Sequence, residues 1–389
     1  MIAQRTADWL GVQFKKINMS EEALASRFEE ATYHIEHHNC DLNFVGKFAL
    51  SETPLSSGFK VVLTGEGADE QFGGYPVYLP DYLRDEDGAA DLTYRAPEDI
   101  RFALAEEQER VITDAYRDMG GMISHINDMK SRAQLGNLLT PPAMAAFAPA
   151  PRIFVKGFKS KDIMMTIIDN FSPEVKEKIN TKWHPLNSAM YTWSKGNLAN
   201  QFLSCLGDRV EMAHSIEART PFLDHKLTEY INSIPPSMKI RYDPSIPDFD
   251  DNGKPQNKFI EKYVLRQAVK EFVTPEIYSR RKHPYSAPTT YPLGGAIHRL
   301  MTRLVTKENV EQLGFILWEE VEGMIDVAFG VEVERREDGK GYRDTGGKRD
   351  AEGRNETLHR SWAWRQVLVV AEWVVLSQRF GIKKAIPGL

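Results

Sequence analysis

The first third of the chain alternates between helical and extended patterns of apolar residues. Residues 2–10 place apolar side chains at helical spacing before Gly11, which predicts a helix that ends there. Val12 to Ile17 largely alternates apolar and polar residues and predicts a strand. Ser20 precedes two glutamates and an apolar repeat, which predicts the capped start of a second helix. A short third helix is predicted near residues 43–50.

A continuous apolar run, Val61 to Leu63, follows this third helix and gives way to glycines. A run so short, bounded by turn residues, is typical of a strand buried on both faces. Helices that alternate with strands predict an α/β fold with a parallel sheet. Residues 90–150 and 155–235 then carry Ala, Leu, Met and charged residues at helical spacing, with prolines between them. We therefore predict an α/β region followed by a mainly helical part.

Two late segments depart from this helical pattern in different ways. Residues 332–360 are dense in charge and glycine, which predicts a mobile surface insertion. Trp362 to Leu376 is apolar and predicts a closing helix packed on the core. Its most hydrophobic part, Val367 to Leu376, is interrupted by Glu372 and preceded by Arg365, so it is too short and too charged to span a bilayer. We therefore predict no membrane association.

Composition narrows the class of protein further. The 389 residues carry a net charge of −6, which argues against a nucleic-acid-binding protein with its basic surface. Two cysteines, Cys40 and Cys205, cannot form a disulfide framework, so a reducing compartment is expected. The first residues show no basic region followed by an apolar core, so no secretory signal is visible. We predict a cytoplasmic protein.

The turn after Val61 to Leu63 carries the candidate chemistry. Ligands of open α/β sheets bind beyond the carboxyl ends of parallel strands, and glycines there let the backbone approach a phosphate. Carboxylates beside a phosphate suit Mg²⁺, which takes one or two of them from the protein. An acidic turn exposed to solvent remains the alternative. The glycines are Gly65 and Gly67, and the acids are Glu66, Asp69 and Glu70.

Two further segments place charges among apolar residues. Leu206 to His225 contains Glu217 and Arg219, and such charges are costly to bury unless they are paired. A structural role and a substrate-facing role for these two residues both stay open. Arg280 to Lys282 is a basic turn after an amphipathic helix, and such a run is more often a solvated face.

These three segments together resemble the asparagine synthetases. Thr64 to Glu70, followed by Phe72 to Tyr75, is similar to the signature on the pyrophosphate side of that family. Leu206 to His225 and Arg280 to Lys282 are similar to two later signatures, in the expected order. The resemblance implies an ATP-pyrophosphatase domain of the adenine nucleotide alpha hydrolase-like type. It also implies ATP-dependent amide formation, in which aspartate is adenylated with release of pyrophosphate and then attacked by ammonia.

The resemblance also implies roles for individual residues. Glu66 would orient the acyl group or take a proton from the attacking amine. Lys282 would balance charge that develops on pyrophosphate. Asp69 would hold Mg²⁺, with Glu70 as a weaker candidate. The residues expected to contact ATP are Thr64, Gly65, Gly67 and Arg219.

Two parts of the family pattern are not visible in this sequence. Position 2 is Ile, where glutaminase domains of the family have an N-terminal cysteine nucleophile, and no Ser-Gly-Gly-x-Asp-Ser phosphate loop is found. The resemblance thus implies a synthetase domain that begins late. Residues 1–85 would be a partial α/β nucleotide-binding region and residues 86–389 the mainly helical remainder. The expected nitrogen donor is ammonia or a small amine, and a glutaminase or phosphate-loop-bearing chain is a possible partner.

Three hypotheses on function remain open at this point. The chain is an enzyme of the asparagine synthetase type, a related ligase acting on another acid or amine, or a non-catalytic remnant that serves as an interaction module. Adenylation assays with different acids separate the first two. ATP–pyrophosphate exchange separates both from the third.

Overall fold

The computed structural model of the chain describes most of its length. Most of the predicted charged insertion lies outside the described residues. The described residues are 1–118, 130–140, 149–156, 164–249, 258–282, 285, 287–330 and 356–386.

The N-terminal helices follow the local signals in the sequence. Helix α1 (Ile2–Leu10) ends at Gly11, whose φ of 67° is left-handed and favours glycine. Helix α2 (Glu21–Ile35) begins at Ser20, whose Oγ accepts a hydrogen bond from the backbone N–H of Ala23. Helix α3 (Asn43–Ser56) is longer than predicted.

The predicted strand at Val12 to Ile17 is wrong. These residues form no strand, and Val12 is 56% exposed. A strand forms only when its backbone groups pair with a neighbouring chain segment, and the alternating pattern of residues 12–17 does not supply that partner.

A two-stranded parallel sheet joins the beginning of the chain to its middle. Strand β1 (Val61–Leu63) pairs with β2 (Glu217–Arg219), with Leu63 opposite Arg219. The prediction of strand β1 is confirmed, but its predicted burial on both faces is wrong, since Leu63 is 74% exposed. Within the described residues β1 has this one ladder neighbour, so no strand pairs with its other edge.

The rest of the described chain is mainly helical, as predicted, apart from an antiparallel pair formed by β3 (Ile240–Tyr242) and β4 (Phe259–Glu261). Helix α10 (Pro185–Trp193) continues through a π-helical segment, Ser194–Asp208, into helix α11 (Arg209–Met212). The helices are α4 (Ala68–Phe72), α5 (Leu79–Arg84), α6 (Glu98–Asp118), α7 (Lys130–Gln134), α8 (Met165–Ile168), α9 (Pro173–Thr181), α10 (Pro185–Trp193), α11 (Arg209–Met212), α12 (His225–Asn232), α13 (Pro236–Lys239), α14 (Tyr263–Val269), α15 (Pro275–Ser279), α16 (Ala296–Leu304), α17 (Lys307–Leu313), α18 (Trp318–Val321), α19 (Met324–Phe329) and α20 (Glu356–Phe380).

Two apolar cores support this arrangement. In the first, Phe28 of α2 and Phe44 of α3 pack with the closing helix α20, where Trp364 and Val367 are fully buried. The second lies under α5, α10 and the β3–β4 pair, around Tyr78 and other buried side chains. The predicted packing of the closing helix on the core is therefore confirmed, and α2 and α3 share that core. No helix of the described residues is long and apolar enough to cross a bilayer.

A buried aspartate ties α5 to the segment after α7. The Asp81 carboxylate accepts hydrogen bonds from the backbone N–H groups of Leu139 (2.8 Å) and Thr140 (2.9 Å) and from the Thr140 hydroxyl (2.7 Å). Burial raises the pKa of Asp81 in spite of these hydrogen bonds, which lower it. The carboxylate thus satisfies three buried donors at once.

Replacing Asp81 by alanine is expected to lower the free energy of unfolding by about 3–5 kcal/mol, because it leaves buried N–H groups without an acceptor. Urea denaturation followed by circular dichroism measures this change. Asp85→Ala, at an exposed position next to the same helix, is the matched control and should change stability by about 0.5 kcal/mol or less. Equal losses in the two variants would contradict the structural role of Asp81.

Candidate active site

The carboxyl ends of the two parallel strands meet at one edge of the sheet. The backbone N–H of Thr64, the residue after β1, donates a hydrogen bond of 2.9 Å to the carbonyl oxygen of Arg219 at the end of β2. The Arg219 side chain is exposed and forms an ion pair with Glu217 at 2.7 Å. The structure thus brings Thr64, Gly65 and Arg219 together, as a shared nucleotide site requires. Their predicted contact with ATP stays a prediction.

The glycine turn that leads into α4 depends on a left-handed residue. Gly67 has φ of 93°, and a Cβ there would lie 2.4 Å from Leu223 Cδ2, so this position requires glycine. The N–H of Gly67 donates to Glu70 Oε2 at 3.1 Å, which places an acceptor at the start of the helix. Gly67 therefore shapes the turn, whatever it contacts in a complex.

The Glu70 carboxylate points into the protein and has partners for both oxygens. Besides the Gly67 N–H, it accepts a hydrogen bond of 2.6 Å from the Tyr75 hydroxyl. Burial raises its pKa, and Glu70 is 2% exposed. A glutamate three residues after the N-cap is the acceptor half of a capping box, so the sequence held a signal for this role, although Gly67 has no side chain to supply the other half. Binding of Mg²⁺ by Glu70 stays a prediction, and Asp69 is the more accessible of the two carboxylates.

Asp69 lies between two lysines that come from distant parts of the chain. Lys282 Nζ donates a hydrogen bond of 3.0 Å to Asp69 Oδ2. Lys262 Nζ lies 2.7 Å from Oδ1, close enough for an ion pair although its orientation is not that of a hydrogen bond. The Lys282 ammonium also lies 5.3 Å from the ring centroid of Tyr75. Two cations beside one carboxylate leave net positive charge, which suits a phosphate group.

The turn that carries Lys282 is held by Glu261 at the end of β4. Glu261 Oε1 accepts hydrogen bonds from the backbone N–H of Lys282 (2.9 Å) and from the Arg266 guanidinium (2.6 Å). Arg281 donates to the carbonyl oxygen of Phe259 on the same strand. Sequence reasoning missed Glu261 and Lys262, because nothing local distinguishes them from solvated charges.

Glu66 is paired with a lysine of α3. Lys47 Nζ lies 2.6 Å from Glu66 Oε1, and both side chains are about one quarter exposed, at 24% and 27%. Glu211 of α11 interacts electrostatically with both residues, and its burial raises its pKa. Lys47 was also missed, since a lysine within an apolar helix gives no sign of the carboxylate it will meet.

The resemblance implies that this site binds ATP and Mg²⁺, and the residues present can be compared with what each of these would need. The Thr64 hydroxyl is buried without a hydrogen-bond partner among the described residues, and a Cβ at Gly65 would meet no atom within 4 Å. An orphaned donor beside open backbone fits a nucleotide. The described residues hold no group of three His, Cys, Asp or Glu side chains that could bind a metal. Mg²⁺ needs only one or two carboxylates when phosphates supply other ligands, so Asp69 fits that smaller demand.

Two glycines of this site, Gly74 and Gly65, differ in the space that a side chain would have, and they offer a matched pair of variants. A Cβ at Gly74 would lie 2.2 Å from Asp69 Oδ1 and 2.3 Å from Lys262 Cε. Gly74→Ala is therefore expected to displace Asp69 and to lower the free energy of unfolding by about 1–3 kcal/mol. Gly65→Ala meets open space, so it should keep the melting temperature and weaken ATP binding only. Thermal melting and nucleotide titration of both variants check this, and equal behaviour of the two would contradict it.

Comparison with known proteins agrees with the geometry. A turn of glycines at the carboxyl edge of parallel strands, with lysines around one carboxylate, is the kind of site that binds an anionic ligand. The family model of asparagine synthase matches residues 1–342, so the chain belongs to the asparagine synthase family. The resemblance drawn from the three sequence segments is thereby confirmed.

Individual relatives add detail. The chain is 35% identical over 396 residues to "Amidase chyE" of Penicillium rubens, covering 99% of this chain and 51% of the relative. It is 35% identical over 386 residues to "Amidase chry2" of Gibberella zeae, with the same coverage of 99% and 51%. It is 22% identical over 331 residues to "Asparagine synthetase [glutamine-hydrolyzing] 1" of Bacillus subtilis, covering 80% and 43%. The chain thus spans about half the length of the curated relatives it matches.

Proposed function

We propose that this chain carries the synthetase chemistry of an ATP-dependent amide-forming ligase. The observation that carries the proposal is the pair of lysines, Lys262 and Lys282, at Asp69 beside the glycine turn after β1. The family match supports the same chemistry. The proposed fold of the α/β region is the ATP-pyrophosphatase fold, which the small parallel sheet is consistent with.

In the proposed reaction, a carboxylate oxygen of the acid attacks the α-phosphorus of ATP and pyrophosphate leaves. The amine nitrogen then attacks the acyl carbon and breaks its bond to the bridging oxygen, which leaves as part of AMP. Glu66 takes the proton that the nitrogen loses, while Lys47 fixes the position of that carboxylate. Mg²⁺, when bound, would neutralise charge on the phosphates.

Asp69 has to change partners when the nucleotide binds. In the structure its oxygens face Lys262 and Lys282. Both ammonium groups can move to phosphate oxygens, which carry more negative charge than one carboxylate. That move would free Asp69 for the metal. Thr64 and the backbone at Gly65 would bind the nucleotide itself, with Arg219 at the exposed side of the same edge.

The acid need not be aspartate. The two relatives at 35% identity are named amidases, whereas the asparagine synthetase of Bacillus subtilis is 22% identical. This difference favours a related ligase that acts on another acid or amine. An asparagine-forming reaction remains the comparison case in every assay.

ATP–pyrophosphate exchange in the presence of a panel of acids tests the proposal. Exchange that depends on one acid, followed by formation of its amide with ammonia or an amine, would support a ligase and name its substrate. Dependence on aspartate alone would support the asparagine synthetase reaction. A folded protein without exchange for any acid, both alone and together with a chain that carries the phosphate loop, would support the interaction module instead.

A further inference from the structure

A cavity lies against α4, next to the candidate active site. Its volume is about 500 Å³, and it lies between α4, the segment from Trp183 to Leu198, α12 and the end of α13. Glu70 and Gln71 of α4 line it, whereas Asp69 on the same helix faces the two lysines described above. The cavity therefore adjoins the candidate active site and is separate from its lysine pair.

The unusual residue of this cavity is Lys239. It is 1% exposed, and no carboxylate of the described residues forms an ion pair with its ammonium, whose pKa is shifted by burial alone. Its one hydrogen bond is a long contact of 3.4 Å to the side-chain oxygen of Asn187, which also lines the cavity. A buried charge without a counter-ion costs several kcal/mol, so a lysine kept in this place calls for an anionic partner.

The other lining groups suit an organic anion. Lys195 at the exposed side adds a second positive charge, and Glu70, the acid in the lining, has both oxygens engaged by Gly67 and Tyr75. Trp183, Tyr191, Met190 and Leu198 supply aromatic and aliphatic walls. We propose that this cavity binds the carboxylate of a small organic acid with an apolar body, with Lys239 as its counter-ion. This binding does not depend on the proposed ligase reaction.

The charge state of Lys239 makes the proposal sensitive to pH. Burial lowers the pKa of Lys239 to about 8. Below that pH the ammonium is charged and attracts a carboxylate, and above it the neutral amine does not. Glu70, Lys195 and Tyr191 are the other titratable groups that face the cavity, and burial raises the pKa of Tyr191. No acid among the described residues pairs with Lys239. Affinity for an acid should therefore fall as the pH rises through about 8 and beyond.

Calorimetric titration without ATP tests this site. The probes are benzoate, phenylacetate and hexanoate, each compared with its neutral amide and with inorganic phosphate. At least one acid should bind more tightly than its amide and than phosphate. Lys239→Met should weaken that binding by about 10- to 100-fold and remove its pH dependence. Lys226→Met, at an exposed lysine of α12, is the matched control and should bind as the parent does.

Several outcomes would overturn the proposal. Equal binding of every acid and its amide would remove the role of charge, and equal binding of phosphate would remove the role of the apolar walls. A pH-independent affinity in the unmutated protein would exclude Lys239 as counter-ion, even if Lys239→Met failed to fold. Loss of binding in Lys282→Met would show that the acid occupies the candidate active site instead. If the protein binds an acid at this cavity but shows no ATP–pyrophosphate exchange, the acid-binding proposal holds and the proposed ligase function is wrong.

Discussion

Replacing Lys282 by methionine is expected to slow ATP–pyrophosphate exchange by about 10²–10³-fold while ATP binding changes only a few-fold. Methionine keeps the length of the side chain and removes its charge. The charge matters most when pyrophosphate begins to leave, because the phosphate oxygens gain negative charge at that moment. In the structure the same ammonium lies 3.0 Å from Asp69 Oδ2, beside the proposed phosphate site, and only a short movement would bring it to the phosphate oxygens.

The turn itself supplies the control for this experiment. Arg280 is exposed and lies two residues before Lys282, so Arg280→Gln removes a nearby positive charge without touching Asp69. That variant should keep nearly all of the exchange activity. Equal losses of ATP affinity and exchange rate in Lys282→Met would contradict the prediction and mark the lysine as a contact of the bound substrate. Thermal melting of both variants shows whether the turn remains folded.

The parts of the fold that could be predicted from sequence are those that local interactions determine. The glycine after α1, the serine cap of α2 and the apolar run of β1 each act within a few residues. The strand predicted at Val12 to Ile17 was wrong because a strand depends on a pairing partner elsewhere in the chain. The predicted burial of β1 was wrong for the same reason, because the apolar character of the strand does not reveal which segments will cover it, and Leu63 is exposed.

The candidate site likewise contains residues that the sequence could predict and residues that only the structure reveals. Asp69, Glu66 and Lys282 could be selected because their segments match a family, and the structure brings Asp69 and Lys282 together. Lys47 and Lys262 meet their carboxylates only after the chain folds, across 19 residues for the first pair. A lysine in a sequence gives no sign of which acid it will face. Long-range ion pairs are therefore the part of this site that only a structure reveals.

The pairing of Lys47 with Glu66 leads to the second large effect. Glu66→Gln is expected to lower amide formation by about 10²–10⁴-fold and to leave ATP–pyrophosphate exchange nearly unchanged. Glutamine keeps the shape and the hydrogen-bonding oxygen but cannot take the proton from the amine. Adenylation needs no such proton transfer, so the two steps of the proposed reaction should separate in this one variant. Both rates are measured with the acid that supports exchange.

Lys47→Met extends this prediction to the partner of Glu66. The ammonium is 2.6 Å from the carboxylate and acts through it, so its loss should reduce amide formation less than Glu66→Gln does. Combining the two substitutions should be no worse than Glu66→Gln alone, because groups that act as a unit are not additive. Glu52→Gln, in the Arg27–Glu52 pair at the surface of the same helix α3, is the matched control and should change neither step. Fully additive losses in the double variant would show that Lys47 serves the reaction by a route other than Glu66. An equal loss of exchange and amide formation in Glu66→Gln would place that carboxylate in adenylation instead of proton transfer.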